Sequence, residues 1–173
     1  SLQGSLANFA GGLMILIFKP FEVGDYIESS GISGTVRDIS ILYTTLITPD
    51  NLRIVIPNGT LANATVKDYT SEETRRLDIP ISVAYGSDVE KVKELLLHVA
   101  SETDTVLSDP EPFCRLDKHG DSSLDFVLRV WTKNSDYWTA YYALKESTLK
   151  ALTENGFEIP FPQMDVHISG ETK

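Results

Sequence analysis

The sequence is poor in the residues that build disulfides and metal sites. Among its 173 residues there are one cysteine, Cys114, and three histidines, His98, His119 and His167. A single cysteine excludes an intrachain disulfide and is typical of a protein in a reducing compartment. The histidines share no ligand spacing with the cysteine or with a pair of carboxylates, so the sequence predicts no metal site and no cofactor.

Positive charge is also scarce. The chain has 15 lysine and arginine residues against 25 aspartate and glutamate residues, which gives a net charge of −10. Proteins that bind nucleic acid need the opposite balance, because lysine and arginine side chains neutralise the phosphates. We therefore expect no nucleic acid among the partners of this protein.

Catalytic motifs are missing as well. The sequence contains no glycine-rich phosphate loop, no G-x-S-x-G element and no paired-cysteine motif. Cys114 falls within a predicted strand, which favours a small core residue over a nucleophile. Asp117, Asp121 and Asp125 straddle a loop and a strand, and a solvated edge explains them more simply than an acid pair. The sequence predicts that the protein is not an enzyme.

No hydrophobic run is long enough to cross a bilayer upright, but a shorter one opens the chain. The segment from Leu2 to Phe18 carries no charged residue. As a helix it would be about 26 Å long, against a hydrocarbon core of about 30 Å. It does not resemble a secretory signal, because it lacks a positive amino-terminal region and a small-residue cleavage site.

This opening segment has two faces when it is placed on a helix. Large apolar residues recur at steps of four and three on one face, and small or weakly polar residues form the other. The large residues are Leu2, Leu6, Phe9, Leu13 and Leu16, and the small ones are Gly4, Ala7, Asn8, Gly11 and Gly12. Each glycine costs a helix about 1 kcal/mol relative to alanine, so close packing or bending is indicated. A buried core helix and a helix packed against copies of itself in a ring both fit, and Pro20 ends the helix.

The next segment, from Val23 to Tyr69, has the pattern of a small β module. Short alternating runs are separated by turns, and they read "DYIES", "TVRDIS", "LYTTLIT" and "LRIVIP". Four or five such strands predict a small, strongly bent antiparallel barrel. The pair Asn58-Gly59 is expected to form a tight turn with positive φ.

The second half of the chain predicts an α/β sandwich. Its order of elements is β-α-β-β-α-β, which is the ferredoxin-like arrangement. Ser87 or Asp88 is expected to cap the first of its two helices, and Gly156 to end the second. The run "SEETRR", residues 71–76, is interpreted as a solvated linker.

Aromatic residues collect near the second of these helices, namely Trp131, Trp138, Tyr141 and Tyr142. They are interpreted as core packing or a subunit contact rather than as a ligand site.

Four motifs in order point to one family. They are the pair Gln3-Gly4, "PF..GD.I" from Pro20 to Ile27, "G.V..I....T" from Gly34 to Thr44, and "D.....IPN" from Asp50 to Asn58. The ending "PFPQMDVHI" continues the likeness in the carboxy-terminal half. Over essentially its whole length, the chain resembles the MscS family of bacterial small-conductance mechanosensitive channels.

The resemblance implies an α+β fold in four parts. Residues 1–19 would be the second half of the pore-lining helix, a short amphipathic segment, and residues 20–69 an Sm-like or SH3-like β-barrel domain. Residues 70–159 would form the ferredoxin-like α/β domain, and residues 160–173 a carboxy-terminal strand that completes an intersubunit β-barrel. The pore-constricting leucines and earlier transmembrane helices of the family would lie before Ser1.

Particular residues acquire roles from the same resemblance. The pore helix would kink at Gln3-Gly4 and then lie along the membrane interface. Gly4 and Gly12 would be bend points, and Gly11 would make bending easier. Asn8 would contact Gly59 and so couple the helix to the β domain.

The function implied is that of an ion channel gated by membrane tension, which releases ions and small osmolytes on hypo-osmotic shock. The resemblance implies a homoheptamer in the lipid bilayer of the bacterial inner membrane, with this portion facing the cytoplasm. The alternative is a soluble ring-forming module with Sm-like and ferredoxin-like domains that binds RNA. The acidic charge balance argues against that alternative.

Overall fold

A computed structural model describes residues 1–170 of the chain. The chain divides into two compact units between Glu73 and Thr74. The first unit contains α1 (Leu2–Phe18), β1 (Tyr26–Ser29), β2 (Ile32–Ile39), β3 (Tyr43–Ile47), β4 (Arg53–Pro57), α2 (Asn58–Ala62) and β5 (Lys67–Asp68). The second contains β6 (Thr74–Ala84), α3 (Val89–Ser101), β7 (Phe113–His119), β8 (Ser123–Lys133), a 3-10 turn (Asn134–Asp136) and α4 (Tyr137–Glu154). The predicted α+β class is confirmed.

The first unit is built on an antiparallel sheet of five short strands in the order β4-β3-β2-β1-β5. A register shift between Val36 and Asp38 marks a bulge in β2, which increases the local twist of the sheet. Ile15 of α1 is buried together with Phe21, just after the helix, among apolar side chains of the strands and α2. The opening helix therefore contributes directly to the core of this unit.

The helix α1 is continuous from Leu2 to Phe18, including the expected bend points Gly4 and Gly12. It ends at Lys19, which adopts a left-handed conformation with φ 46° and whose N–H donates to the Ile15 carbonyl at 2.9 Å. Pro20 follows and cannot continue the helix because it has no N–H to donate.

The second unit is a three-stranded antiparallel sheet in the order β6-β8-β7, with α3 and α4 packed on its apolar face. Residues on β6 and β8 alternate between buried and more exposed positions, as a sheet covered on one face requires. The Asp88 side chain accepts hydrogen bonds from the N–H groups of Glu90 and Lys91, so Asp88 and not Ser87 is the cap of α3. Gly156, with φ 76°, follows the end of α4 as expected.

Two expectations from the sequence are wrong. Asn58 and Gly59 do not form a turn with positive φ; they are the first residues of α2, entered from the extended Pro57. The linker predicted over residues 71–76 is shorter, because Thr74, Arg75 and Arg76 already pair with β8. Local residue preferences suggested irregular backbone at both places. Contacts within the first unit make Asn58 and Gly59 helical, and contacts within the second unit make residues 74–76 part of a strand.

The segment after α4 also differs from the ferredoxin-like expectation of a fourth strand. Within residues 157–170 no strand is assigned, and the Ala84 N–H donates one bond to the Glu158 carbonyl at 2.8 Å. Pro160 and Pro162 lack the N–H groups that a longer ladder with β6 would need. The expected intersubunit strand over residues 160–173 stays a prediction, and its last three residues lie outside the described part.

The core of the second unit can be tested with two leucines on the same helix. Leu144 is 0% exposed and Leu149 is 52% exposed, both in α4. We expect Leu144→Ala to lower the free energy of unfolding by about 2–5 kcal/mol, because it leaves a cavity. Leu149→Ala should change it by no more than about 0.5 kcal/mol. Urea unfolding of the chain measures both, and equal losses would contradict this assignment of the core.

Candidate functional site

The small-residue face of α1 docks on the amino-terminal end of α2 and on the loop between β2 and β3. Gly11 and Gly12 are both buried there. A Cβ atom on Gly11 would lie 2.5 Å from the carbonyl oxygen of Asn58, and one on Gly12 would overlap the carbonyl oxygen of Ile41. Backbone lies against backbone at both points, so only glycine fits.

A hydrogen bond joins the same two helices. The Gly59 N–H donates to Oδ1 of Asn8 at 3.0 Å. Gly59 lies in the first turn of α2, where backbone N–H groups have no partner within the helix, and Asn8 supplies one. A Cβ atom on Gly59 would lie 2.9 Å from that Oδ1 and 3.0 Å from the Ala7 carbonyl oxygen. The glycine thus permits a close approach and does not serve a turn.

Beneath this junction both polar atoms of the buried Asn58 side chain have a hydrogen-bond partner. Its Nδ2 donates to the Ser40 carbonyl at 2.8 Å, and its Oδ1 accepts from Oγ1 of Thr44 at 2.8 Å. Sequence reasoning gave neither Thr44 nor Asn58 a role at this site. Thr44 ends one of the quoted motifs and Asn58 ends another. That position is the signal in the sequence by which the two residues could have been found.

The structure brings together four of the six predicted site residues and leaves two apart. Asn8, Gly11, Gly12 and Gly59 meet at the junction of α1 and α2. Gln3 and Gly4 lie exposed in the first turn of α1, and a Cβ atom on Gly4 would meet only Oγ of Ser1, at 3.8 Å.

The rest of α1 exposes large apolar side chains. Their exposed fractions range from 38% for Leu13 to 87% for Leu2, and the others are Leu6, Phe9, Met14, Leu16, Ile17 and Phe18. Within residues 1–170, no helix combines the length and the apolar composition needed to span a bilayer. Docking therefore uses the small face of α1 and leaves the large apolar face open.

The pKa shifts of two titratable groups elsewhere have structural causes. Burial raises the pKa of the Cys114 thiol to about 11, which leaves it protonated and unreactive near neutral pH. Hydroxyl groups of Ser123 and Ser82 donate to Asp125 and hold the pKa of that carboxyl below its usual value. In the described part of the chain, no three histidine, cysteine, aspartate or glutamate residues are grouped so as to hold a metal ion.

The aromatic residues of α4 only partly fulfil the expectation of core packing. Trp138 and Tyr142 are 60% and 59% exposed, while Tyr141 packs against the core. For Trp138 and Tyr142 core packing is wrong, because their positions on α4 face away from the sheet. A subunit contact stays a prediction for this pair.

Comparison with known proteins gives consistent matches. The family model described as mechanosensitive ion channel, beta-domain, matches residues 4–71, and the model described as mechanosensitive ion channel MscS, C-terminal, matches residues 77–159. The small-conductance mechanosensitive channel of Edwardsiella ictaluri is 44% identical over 168 residues, covering 97% of this chain and 59% of that protein. An MscS family protein of Synechocystis is 41% identical over 174 residues, covering 100% of this chain and 59% of that protein. The chain thus spans about three fifths of the length of these relatives.

A solved structure agrees with the sequence matches. The closed-state crystal structure of MscS from Helicobacter pylori superposes with a TM-score of 0.92 at 33% identity. The match covers 98% of this chain and 68% of that one.

Two glycines of α1 test the docking directly. In Gly12→Ala the added methyl group overlaps the Ile41 carbonyl oxygen, so we expect a loss of about 1–3 kcal/mol in unfolding free energy. In Gly4→Ala the methyl group makes only an ordinary contact with Oγ of Ser1, at 3.8 Å, and higher helix propensity should stabilise α1 by up to about 1 kcal/mol. Urea unfolding of the two variants measures the difference. Changes of the same sign and size would show that Gly12 is not tightly packed.

Proposed function

Because the chain belongs to the MscS family of mechanosensitive ion channels, we propose that it is the pore-helix end and vestibule portion of a tension-gated channel. The channel releases ions and small osmolytes on hypo-osmotic shock. The observation that carries this proposal is the ordered match of both MscS domains to one chain that begins with a docked apolar helix. The family is one of channels and not of enzymes.

The two faces of α1 support a place at the membrane interface. A helix with this much exposed apolar surface is unfavourable in water, and contact with lipid or with neighbouring helices would cover it. The other face is fixed to the β domain through Gly11, Gly12 and Asn8. In this proposal the pore helix kinks at Gln3-Gly4, and the part that follows lies flat at the cytoplasmic side of the bacterial inner membrane.

The carboxy-terminal segment supports assembly into a ring. Met164, Val166 and Ile168 alternate with polar residues along a stretch in which no helix or strand is assigned, and all three are exposed in the single chain. Pairing of this stretch with the same stretch of neighbouring copies would bury these side chains and remove an open strand edge. We propose that the assembly is a homoheptamer whose terminal strands form a shared barrel.

Gating follows from a shift in populations. Membrane tension favours the state with the larger in-plane area, and the pore helices must move to reach it. We propose that the docked position of α1 belongs to the non-conducting channel, and the close superposition of the chain on a closed-state structure supports this. No observation favours the RNA-binding module that composition left open as an alternative.

A chimera tests the function of the chain. The aligned 168 residues of the Edwardsiella ictaluri channel are replaced by the matching residues of this chain. We expect tension-activated currents in excised patches from cells without their own mechanosensitive channels, and survival of those cells on hypo-osmotic shock. The unmodified Edwardsiella ictaluri channel is the control. A chimera that reaches the membrane and passes no current under tension would refute the proposal.

The contact between Asn8 and Gly59 makes a second prediction. Asn8→Ala removes the acceptor of the Gly59 N–H, and a net loss of about 1 kcal/mol shifts the docking equilibrium of α1 about fivefold towards release. In the chimera we expect fewer channels to inactivate under sustained tension, with faster recovery. Ser5→Ala, on an exposed part of the same helix, is the matched control. Inactivation and recovery are measured by patch clamp during and after a sustained tension step. If Asn8→Ala leaves both unchanged, this contact has no part in the mechanism.

A further inference from the structure

A buried polar pair lies directly beneath the docked face of α1. The side chains of Thr44 and Asn58 are both 0% exposed, and they lie in a unit whose other buried side chains are mostly apolar. Burying an amide and a hydroxyl is costly unless every polar atom is bonded, and such a network then holds one arrangement firmly. This pair is therefore placed to fix local geometry.

The bonds of Asn58 tie three segments of the chain together. Its Nδ2 reaches the Ser40 carbonyl, its Oδ1 accepts from Thr44 on β3, and its N–H donates to the Leu42 carbonyl at 2.9 Å. One residue thus links the loop between β2 and β3, the strand β3 and the first turn of α2.

The same segments supply every close contact that α1 makes at the junction. Gly12 lies on the Ile41 carbonyl, Gly11 on the Asn58 carbonyl, and Asn8 on the Gly59 N–H. We propose that Asn58 is a positioning residue, oriented by Thr44, which holds these three contact points as one rigid platform so that α1 docks and undocks as a unit. The consequence of this platform for gating rests on the proposed channel function. The platform itself is tested by measurements that do not depend on that function.

The orientation of the Asn58 amide is the feature on which the platform depends. The Thr44 hydroxyl donates to Oδ1, and this leaves Nδ2 facing the Ser40 carbonyl. Valine at position 44 has nearly the same shape but no hydroxyl, so Oδ1 would be buried without a donor. The amide must then rotate or seek water, and the contact points lose their common support.

The first test is hydrogen exchange of the Gly59 amide in the purified full chain in detergent micelles. We expect Thr44→Val to accelerate this exchange about fivefold, an effect that corresponds to the net loss of a typical hydrogen bond. Asn8→Ala should accelerate it to a similar extent. The double variant should exchange no faster than Asn8→Ala alone, because the bond that Thr44 supports is already absent.

Matched variants separate positioning from general stability. Thr44→Ser keeps the hydroxyl and should restore slow exchange of the Gly59 amide. Thr45→Val makes the same change one residue along β3, on the opposite face of the sheet, and should leave that exchange unchanged. Asn58→Asp keeps the acceptor for Thr44 and removes the donor to Ser40, and it should reproduce the effect if Thr44→Val does not fold. Protection of the Val36 amide, which donates to Asp25, reports that the sheet is intact.

Two results would overturn the inference. One is unchanged Gly59 exchange in both Thr44→Val and Asn58→Asp with the sheet intact. The other is a double variant whose acceleration is the full product of the two single effects, since the sites would then act independently. The consequence for gating is tested separately, by patch-clamp measurement of inactivation in the chimera that carries Thr44→Val. Faster Gly59 exchange with unchanged inactivation would support the platform and refute the coupling role given to α1.

Discussion

The first unit depends on the approach of one backbone to another. At Gly11 and Gly12 the axis of α1 comes so near to α2 and to the loop after β2 that no side chain can stand between them. This approach lets Asn8 reach the Gly59 N–H and lets Ile15 enter the core of the β domain. The glycines lower the intrinsic stability of the helix, and tertiary contacts offset that cost.

The same constraint explains why α1 has two different faces. Close docking needs small residues on one side, whereas the opposite side carries leucine, isoleucine, methionine and phenylalanine side chains that are 38% to 87% exposed. The inner face specifies a fixed position on the β domain through hydrogen bonds and shape. The outer face offers apolar surface, and burial of such surface is favourable without any particular geometry. A helix built in this way can keep its hold on the β domain while its apolar surroundings change.

Much of the fold was predictable, because regular elements leave periodic patterns. Alternation along β6 and β8, the cap at Asp88 and the glycine at position 156 each follow from local chemistry. The predictions that failed concern features that are set by contacts between residues distant in sequence. Asn58-Gly59 looks like a turn until the crowding by Ala7 and Asn8 is known, and the roles of Thr44 and Asn58 appear only when their side chains meet. Alternation of apolar residues in the terminal segment predicts a strand, whereas the strand with which it pairs is not specified by local sequence.

The junction after α1 leaves no slack between the helix and the β domain. Lys19 takes a left-handed conformation, Pro20 has a fixed φ, and the side chain of Phe21 is buried immediately afterwards. A flexible linker would absorb a displacement of the helix, but these three residues form a short stiff corner. A displacement of α1 would therefore act on the buried Phe21 and on the apolar side chains around it, and no loop lies between them to take it up.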